Sequence, residues 1–476
     1  MLFTSSEFLF FFLVVFSGYW LLPAGRLRVG LLLAASYYFY MSWNGRLAMV
    51  VAASSLADFL FALWIERSTS VACRKTLLLL SITMNLGVLV YFKYANFFLE
   101  TLHQMLAGIG IHRPLHALDV ILPIGISFYT FEAISYTMDV YRKRVAAEKN
   151  PFHFLLFITF FPRMVAGPII RARNFLPQLR MKRRFSWARF DLGMQYVLMG
   201  LFKKLAISDR MAQLADPVFQ APAIHSTSAI WIALIAYSLE IYCDFSGYSD
   251  IALGTAHMLG FKLPMNFDMP YVAKNIAEFW RRWHISLSTW LRDYVFIQLG
   301  GSRGTLARTV FTLLATFALC GLWHGAKWTF VVWGTGQGLM MAGHRFFREF
   351  CKTRPGIGTF LQTGPGGFLC IAATYFSVCM GWVLFRSPDF KTAAEVFHGS
   401  FTLRHGMVPE NPSNAASLAS AFAVVAICHV AVETGLWKKI ALRLPAPVWG
   451  ISYAVLLIAT CRIMPSVQKA FIYFQF

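Results

Sequence analysis

Long apolar runs alternate with short polar and basic segments along almost the whole chain. A bilayer core of about 30 Å needs about 20 apolar residues in a straight helix, and several of the runs are shorter or contain Gly, Pro or a charge. Such segments are tolerated at membrane depth where they face protein or a wet cavity. We therefore predict an all-α polytopic membrane protein with roughly ten to thirteen transmembrane or re-entrant segments. The candidate runs are residues 8–22, 30–43, 47–64, 77–98, 120–138, 154–170, 194–207, 230–259, 306–322, 330–346, 368–385, 418–432 and 448–461.

Composition supports a single membrane domain over residues 1–476. Hydrophobic residues make up 57% of the chain and charged residues 14%, whereas a soluble domain is about a quarter charged. The runs do not alternate as the strands of a β-barrel do. Residues 8–22 lack the basic flank and the small-residue cleavage site of a signal peptide, which indicates a retained first span. Residues 354–367 and 406–415 are rich in Gly, Pro or Asn, and we predict loops there.

The net charge of +21 raises the question of a nucleic-acid partner. The Lys and Arg residues, however, cluster in short loops between apolar runs, as the positive-inside rule expects of a membrane protein. Residues 171–189 carry seven of them, which predicts a cytoplasmic loop that contacts anionic lipid headgroups. We therefore expect contacts with membrane lipids and no nucleic acid.

Among the ionisable residues inside or at the ends of apolar runs, five stand out. Lys93 stands at a span end, where a lysine usually extends its ammonium group toward the interface. Glu132, Arg163, Asp244 and Asp250 lie deeper, where charged groups are expensive and are either paired or functional. A structural ion pair of Arg163 with Asp244 or Glu132 is one interpretation of these residues, and a functional site is the other.

Residues 280–294 have the period of a strongly amphipathic helix. At about 100° per residue, His284 and most of the apolar side chains fall on about a third of the circumference, with Ser288 one turn further on. An interfacial helix explains the aromatic and basic faces, and a histidine at the edge of such a face is often a hydrogen-bonded core residue. The polar face consists of Arg281, Arg282, Ser286, Ser288, Thr289, Arg292 and Asp293.

His324 lies at the end of an apolar run, within the sequence Gly-Leu-Trp-His-Gly at residues 321–325. Glycine permits close backbone approach and unusual dihedral angles. A histidine at membrane depth is a functional candidate, and proton exchange near neutral pH suits a general base; a structural, hydrogen-bonded histidine is the alternative. The eight cysteines stand singly and no His-Glu-x-x-His motif occurs, so we predict no metal site. The Gly-x-Ser-x-Gly motif of a nucleophilic serine does not occur either.

The run WRRWHISLSTWLRDYVFIQLGGSRG, followed by GLWHGAKWTFVVWG, resembles the signature of the membrane-bound O-acyltransferase (MBOAT) family, here residues 279–338. The similarity extends over essentially the whole chain through LPIGISFYTFEAISYTMDVYR, FPRMVAGPIIR, DFSGYSDIALG and FIYFQF. These motifs are similar to those of the bacterial branch that contains alginate O-acetyltransferase and the D-alanyl transferase of teichoic acids. The resemblance implies a ring of helices around a central tunnel, where a cytoplasmic acyl donor meets an extracytoplasmic acceptor.

The resemblance also implies roles for single residues. His324 corresponds to the catalytic histidine of the family, and His284 corresponds to its second signature position. His284, together with Asp293 or Ser288, would orient the reactants or donate a hydrogen bond to the developing oxyanion. The supporting residues of the signature are Trp323, Trp280, Arg281 and Arg282.

Two further positions stand out by resemblance. Alginate-type members carry a further histidine after the Trp-His-Gly motif, where this chain has Gln337, so that role is absent here or is filled by an amide. The tail, residues 464–476, ends in a sequence similar to that of the small membrane partner of the D-alanylation system. Tyr473 is therefore a candidate acyl carrier or positioning group, and an aromatic tail at the membrane interface is the alternative.

We therefore expect an O-acetyltransferase that uses acetyl-CoA or another acetyl thioester on the cytoplasmic side, with no permanently bound cofactor. Its acceptor would be an extracytoplasmic polysaccharide such as alginate, cellulose or a similar exopolysaccharide. The protein would lie in the bacterial inner membrane and work with a separate periplasmic acetyltransferase or polysaccharide-synthesis partner. Peptidoglycan O-acetylation and D-alanyl transfer to teichoic acid are the enzymatic alternatives. A transporter, or a scaffold that presents a partner enzyme, is the non-enzymatic alternative.

Overall fold

The computed structural model of the chain describes residues 1–111, 116–408, 412–465 and 469–472. Its architecture is α-helical, and within these ranges the only strand-like pairing is an isolated bridge between His225 and Met407. The α-helices of the described residues, numbered α1 to α21 in chain order, are Ser6–Leu21, Arg26–Met41, Gly45–Arg67, Val71–Leu89, Ala95–Gly108, Ile126–Tyr141, Pro151–Thr159, Ala172–Arg180, Trp187–Leu201, Asp209–Gln220, Thr227–Met258, Ile276–Arg282, Ile285–Leu291, Leu306–His324, Trp328–Thr353, Pro355–Gln362, Gly364–Arg386, Phe390–Phe401, Pro412–Glu433, Leu436–Ala441 and Ala446–Ile463.

Short π-helical and 3₁₀ segments connect or extend several of these helices. The π-helical segments are Val90–Tyr94, Phe202–Ser208 and Arg292–Phe296, and the 3₁₀ segments are Pro222–Ile224 and Pro270–Val272. π-Helical turns are rare and frequently lie at functional sites. Two of the three π segments contain a residue that the sequence singles out: Val90–Tyr94 contains Lys93, and Arg292–Phe296 contains Asp293.

Seven helices in the described part of the chain are long and apolar enough to cross a membrane, which confirms the prediction of an all-α polytopic membrane protein. α1 is a shorter apolar helix, and several other predicted runs form short helices, such as α7 within residues 154–170. The seven candidate spans are Gly45–Arg67, Val71–Gly108, Thr227–Met258, Leu306–His324, Gly364–Arg386, Ala415–Glu433 and Ala446–Ile463.

One predicted loop is wrong. Residues 354–367 form α16 and the first turn of α17, and each of these helices has a proline in its first turn. Proline is well suited to the first turn because it has no N–H that would need a partner there. In the other predicted loop, residues 409–411 lie outside the described residues, and α19 begins at Pro412.

The chain packs as two compact units. Unit 1 consists of Met1–Val197 and Ser249–Pro264, and unit 2 consists of Leu198–Tyr248 and Met265–Phe476. The prediction of one domain over residues 1–476 stays a prediction. Both histidines of the signature lie in unit 2.

Two buried carboxylates of unit 1 find their partners within that unit. Glu132 forms an ion pair with Arg163, which confirms one of the two pairings predicted for this arginine. Asp58 accepts hydrogen bonds from Ser81 Oγ at 2.6 Å and from Asn85 Nδ2 at 2.9 Å. Since buried charges are tolerated when they are paired and hydrogen-bonded, both groups have a structural explanation.

Pro123 and Gly125 lie just before the start of α6 at Ile126. Gly125 has φ +71°, and a Cβ there would lie 2.3 Å from the carbonyl oxygen of Met164. Only glycine fits such a position without strain. Lys93, for which the sequence predicts an interfacial ammonium group, is half-buried and its Nζ donates to Ser127 Oγ at 3.2 Å.

In unit 2, α14 and α15 approach each other closely through glycines. A Cβ on Gly321 would lie 2.1 Å from the carbonyl oxygen of Phe330, and a Cβ on Gly334 would lie 2.1 Å from that of Phe317. Small residues at these two positions therefore allow the backbones to touch, as is common between membrane helices. This contact fixes the end of α14, where His324 lies.

Replacing Gly334 with alanine is expected to destabilise the protein by about 1–3 kcal/mol, the usual range for overpacking. Gly336 provides the matched control on the same helix, because a Cβ there would meet no other atom within 4 Å. Replacing a helical glycine with alanine at such a position stabilises by about 0.5–1 kcal/mol. Thermal unfolding of the two purified variants in detergent measures the difference, and equal melting temperatures would contradict the close helix contact.

Candidate functional site

The predicted continuous helix over residues 280–294 is broken at His284. α12 ends at Arg282 and α13 begins at Ile285. His284, between them, has φ +42° in the left-handed region, which non-glycine residues seldom adopt. The prediction that His284 sits at the edge of one helical face is therefore wrong, and the imidazole projects from a turn instead.

A loop that precedes α12 holds this turn in place. Asn266, which is buried, accepts a hydrogen bond on its backbone oxygen from Ile285 N at 2.9 Å. Its Oδ1 accepts another from Ser286 Oγ at 2.6 Å. On the other side of the turn, Asp268 N donates to the carbonyl oxygen of Arg282 at 2.9 Å. Strained backbone conformations persist where several contacts enforce them, and they cluster at functional sites.

Aromatic rings surround the His284 side chain, which is 0% exposed. The ring of Phe245, from the motif DFSGYSD, lies nearly perpendicular to the imidazole with centroids 4.6 Å apart. The Trp323 ring lies 6.0 Å away on another side. The imidazole is therefore held between an aromatic residue of α11 and one of α14.

His324 is the last residue of α14, and its side chain is 4% exposed. Its imidazole lies nearly perpendicular to Trp333, with ring centroids 5.2 Å apart, and 5.2 Å from Phe385. Gly325 follows in an extended conformation, and a Cβ there would lie 2.2 Å from the Phe330 ring. The two glycines that flank His324 thus allow close packing, as the sequence predicts.

Trp323 brings the two histidines together. Its ring centroid lies 6.0 Å from that of His284 and 5.0 Å from that of His324, so the two imidazoles are within about 11 Å of each other. Further tryptophans extend the enclosure: Trp280 contacts Trp333 at 6.1 Å, and Trp333 stacks on Trp382 at 6.0 Å. Polar interactions are strong in an environment of this kind because little water screens them.

Gln337 adds an amide to this part of unit 2. It is buried on α15, one turn after Trp333. A Cβ on Gly381 would lie 2.7 Å from Nε2 of Gln337 and 3.6 Å from Nε1 of Trp333. The glycine therefore leaves room for the amide and the indole side by side.

The sequence profile of the membrane-bound O-acyltransferase family matches residues 70–385 of this chain, a stretch that includes both histidines and the tryptophans around them. The chain belongs to the membrane-bound O-acyltransferase family. It is therefore an O-acyltransferase and a multi-pass membrane protein.

Individual relatives match over most of their length. The "Probable alginate O-acetylase AlgI" of Azotobacter vinelandii is 38% identical over 440 residues, which cover 91% of this chain and 84% of that protein. The protein of the same name from Pseudomonas aeruginosa is 39% identical over 405 residues, 84% of this chain and 75% of that protein. The "Peptidoglycan O-acetyltransferase" of Helicobacter pylori is 35% identical over 434 residues, 84% of this chain and 79% of that protein.

Two polar residues that the sequence groups with His284 have partners close to them along the chain. Ser288 Oγ donates to the carbonyl oxygen of Trp283 at 3.2 Å. Asp293 forms an ion pair with Arg292 at 2.9 Å, within the π-helical segment that follows α13. Ser288 thus supports the turn at His284, and the catalytic role predicted for either residue stays a prediction.

The two predicted supporting arginines of the acyltransferase differ in their surroundings. Arg282 forms ion pairs with Glu278 on its own helix and with Glu433 at the end of α19, both at 2.8 Å. Arg281 is exposed. Arg282 therefore joins α12 to α19, while Arg281 faces outward.

The tail approaches the site from the far end of the sequence. Tyr473, the predicted acyl carrier, lies outside the described residues. The two residues before it, Phe471 and Ile472, are buried, each 3% exposed. The backbone N–H of Ile472 donates to Oδ2 of Asp244 at 2.7 Å. Asp244, one of the two partners considered for Arg163, instead bonds to Lys204 at 2.6 Å.

Three site residues were not found from the sequence: Asn266, Phe245 and Ile472. Phe245 stands beside Asp244 in a motif whose acidic residues are its most unusual feature. Asn266 lies in a short segment between α11 and α12 that has no helical periodicity. Within the described residues, no group of three or more His, Cys, Asp and Glu side chains is arranged to hold a metal ion.

Proposed function

We propose that this acyltransferase takes an acetyl group from a cytoplasmic thioester, such as acetyl-CoA, for O-acetylation of an extracytoplasmic polysaccharide. We place it in the bacterial inner membrane. The observation that carries the proposal is the position of His324, a buried histidine at the end of an apolar helix, enclosed by Trp323, Trp333 and Phe385.

In this mechanism His324 acts as the general base. The acceptor hydroxyl oxygen bonds to the acyl carbon while its proton passes to an imidazole nitrogen of His324. When the tetrahedral intermediate collapses, the carbon–sulfur bond breaks and the thiol sulfur takes that proton from the imidazolium. The products are an ester and a free thiol, and His324 returns to its starting state.

His284 serves as the second group of the site. Its imidazole shares contact with Trp323, and its backbone is fixed by Asn266, so its orientation is set before the reaction begins. A preorganised hydrogen-bond donor aimed at a developing oxyanion typically contributes about 10²–10³-fold to the rate. We assign this role to His284.

The acceptor hydroxyl belongs either to the polysaccharide or to Tyr473. In the second case Tyr473 carries the acetyl group as an ester, and a separate periplasmic acetyltransferase completes the transfer. The burial of Phe471 and Ile472 in unit 2 supports a role for the tail at this site.

The names of the relatives support the acetyl group and the polysaccharide. Two of them are named probable alginate O-acetylases, which favours alginate, cellulose or a similar exopolysaccharide as the acceptor. The 35% identity to a peptidoglycan O-acetyltransferase over most of both chains supports peptidoglycan as the second candidate.

Removing this chain from its host tests the proposal. Acetate released by mild alkali is measured from purified exopolysaccharide and from purified peptidoglycan, and ester-linked D-alanine is measured in the cell wall. We expect acetyl esters to disappear from the exopolysaccharide and to return with the wild-type chain but not with a His324→Ala chain. Loss from peptidoglycan alone would favour the second candidate. Unchanged esters in all three fractions would contradict an acyltransferase acting on any of these acceptors.

A further inference from the structure

We propose that Asp244 is a positioning residue for acyl transfer, which anchors the C-terminal tail and through it keeps Phe245 packed against His284. The inference rests on the proposed roles of His324 and His284, and it adds a physical link between the tail and the second histidine. The link runs from the Asp244 carboxylate to the backbone of Ile472, and from the neighbouring ring of Phe471 to that of Phe245.

The anchor begins with a buried charge network on π segment Phe202–Ser208, α10 and α11. Lys204 Nζ lies 2.6 Å from Oδ1 of Asp244 and 2.8 Å from Oδ1 of Asp209, and all three side chains are buried. Gly247 allows this approach, because a Cβ there would lie 2.7 Å from the carbonyl oxygen of Gly200. The lysine thus bonds to one oxygen of Asp244, and the tail bonds to the other.

That second oxygen, Oδ2, accepts the backbone N–H of Ile472 at 2.7 Å. The bond joins residues 228 positions apart in the sequence. A hydrogen bond to an ionised carboxylate is about twice as strong as a neutral one, and a buried N–H left without a partner is costly. Asp244 therefore holds the tail backbone in one position.

Contacts between aromatic rings connect the anchored tail to His284. Phe471 stacks on Tyr248 with ring centroids 4.6 Å apart and lies 5.8 Å from Phe245. Phe245 in turn lies 4.6 Å from the His284 imidazole. Tyr248 and Phe245 are both on α11, as is Asp244, so one helix holds the tail by its backbone and by its ring.

A second ion pair fixes the start of the anchored segment. Lys469 pairs with Asp216 on α10, and Asp216 also pairs with Arg386 at the end of α17, at 2.7 Å. The tail is therefore held at two points three residues apart. Held at both points, the segment keeps the Phe471 ring beside Phe245, the residue that contacts His284.

The test replaces Asp244 with alanine and with asparagine in the full-length protein, purified in detergent. Lys204 keeps Asp209 as a partner in both variants, which favours folding. Asparagine retains an oxygen that accepts the Ile472 N–H, whereas alanine does not. The rate of limited trypsin digestion measures how firmly the tail is held, because release of residues 470–476 requires cleavage after Lys469, beside the buried Phe471. Initial rates with acetyl-CoA as donor report catalysis.

For Asp244→Ala we expect the heptapeptide to be released at least about tenfold faster. We expect kcat per folded molecule to fall about 10–100-fold, up to the loss that follows a misplacement of about 1 Å, with KM for acetyl-CoA changed less than about threefold. Asp244→Asn is expected to restore both properties to within about threefold of the wild type. The control Asp58→Ala removes a buried, hydrogen-bonded carboxylate of unit 1 and is expected to change neither.

Two results would overturn the inference. If Asp244→Ala releases the tail but keeps its kcat, the tail has no part in positioning the site. If the tail stays protected, Asp244 is not its anchor. Both results leave the proposed function standing, which fails separately if a His324→Ala protein remains active. A chain that ends at Ile472 removes Tyr473 and keeps the anchor, so it distinguishes loss of the acyl carrier from loss of the anchored segment.

Discussion

Replacing His324 with alanine is expected to lower the rate of acyl transfer by about 10²–10⁴-fold, the contribution typical of general acid–base catalysis. The imidazole is the only part of the residue that can take the proton of the acceptor hydroxyl. Its enclosure by Trp333 and Phe385 limits the access of water that would otherwise hydrolyse the acyl donor. The measurement is the transfer of labelled acetyl from acetyl-CoA by the purified protein, given per folded molecule.

The variant should still fold and insert, because the features that build the end of α14 remain. Thr305 caps the start of the helix by accepting a hydrogen bond from Arg308 N, and the contact between Gly321 and α15 does not involve the imidazole. His344→Ala is the matched control, since His344 is half-buried on α15, further along the chain. A well-folded His324→Ala protein with wild-type activity would remove the basis of the proposed mechanism.

Features that depend on nearby residues were predicted well from the sequence. In the described part of the chain, seven of the thirteen apolar runs form helices long and apolar enough to cross a membrane, and the glycines at 321 and 325 permit the close approach expected of them. The length of an apolar run is set by the thickness of the bilayer, and the effect of a glycine is set by local backbone geometry. Both can therefore be predicted without knowledge of the rest of the fold. The same reasoning fails at residues 354–367, where prolines that suggest a loop instead begin two helices.

The turn at His284 could not be found from periodicity. A helical projection assumes a regular helix, and on such a helix most apolar and most polar residues of 280–294 fall on two different faces. The break depends on Asn266, which bonds to the backbone of Ile285 and to the side chain of Ser286 from another loop. Contacts of this kind arise from tertiary structure, which routinely overrides local preference.

The partners of buried charges show the same limit. The sequence indicates that Asp244 needs a partner, because an unpaired carboxylate at membrane depth is expensive. It does not say whether that partner is Arg163 or Lys204. The choice of Lys204 depends on the close approach of two helical segments at Gly247, and the bond to Ile472 joins distant parts of the chain.

Replacing His284 with glycine is expected to lower kcat by about 10²–10³-fold, the loss that follows removal of one oxyanion donor, while the fold is kept. His284 has φ +42°, and glycine adopts this conformation without strain, so the variant removes the imidazole and leaves the turn.

Lys143→Gly is the matched control, because Lys143 is an exposed residue with φ +57° outside the site. The activity of the Lys143→Gly protein should equal that of the wild type. Circular dichroism and melting temperature check the fold, and labelled acetyl transfer measures kcat. A His284→Gly enzyme with wild-type kcat would show that the site needs the left-handed turn at this position and not the imidazole.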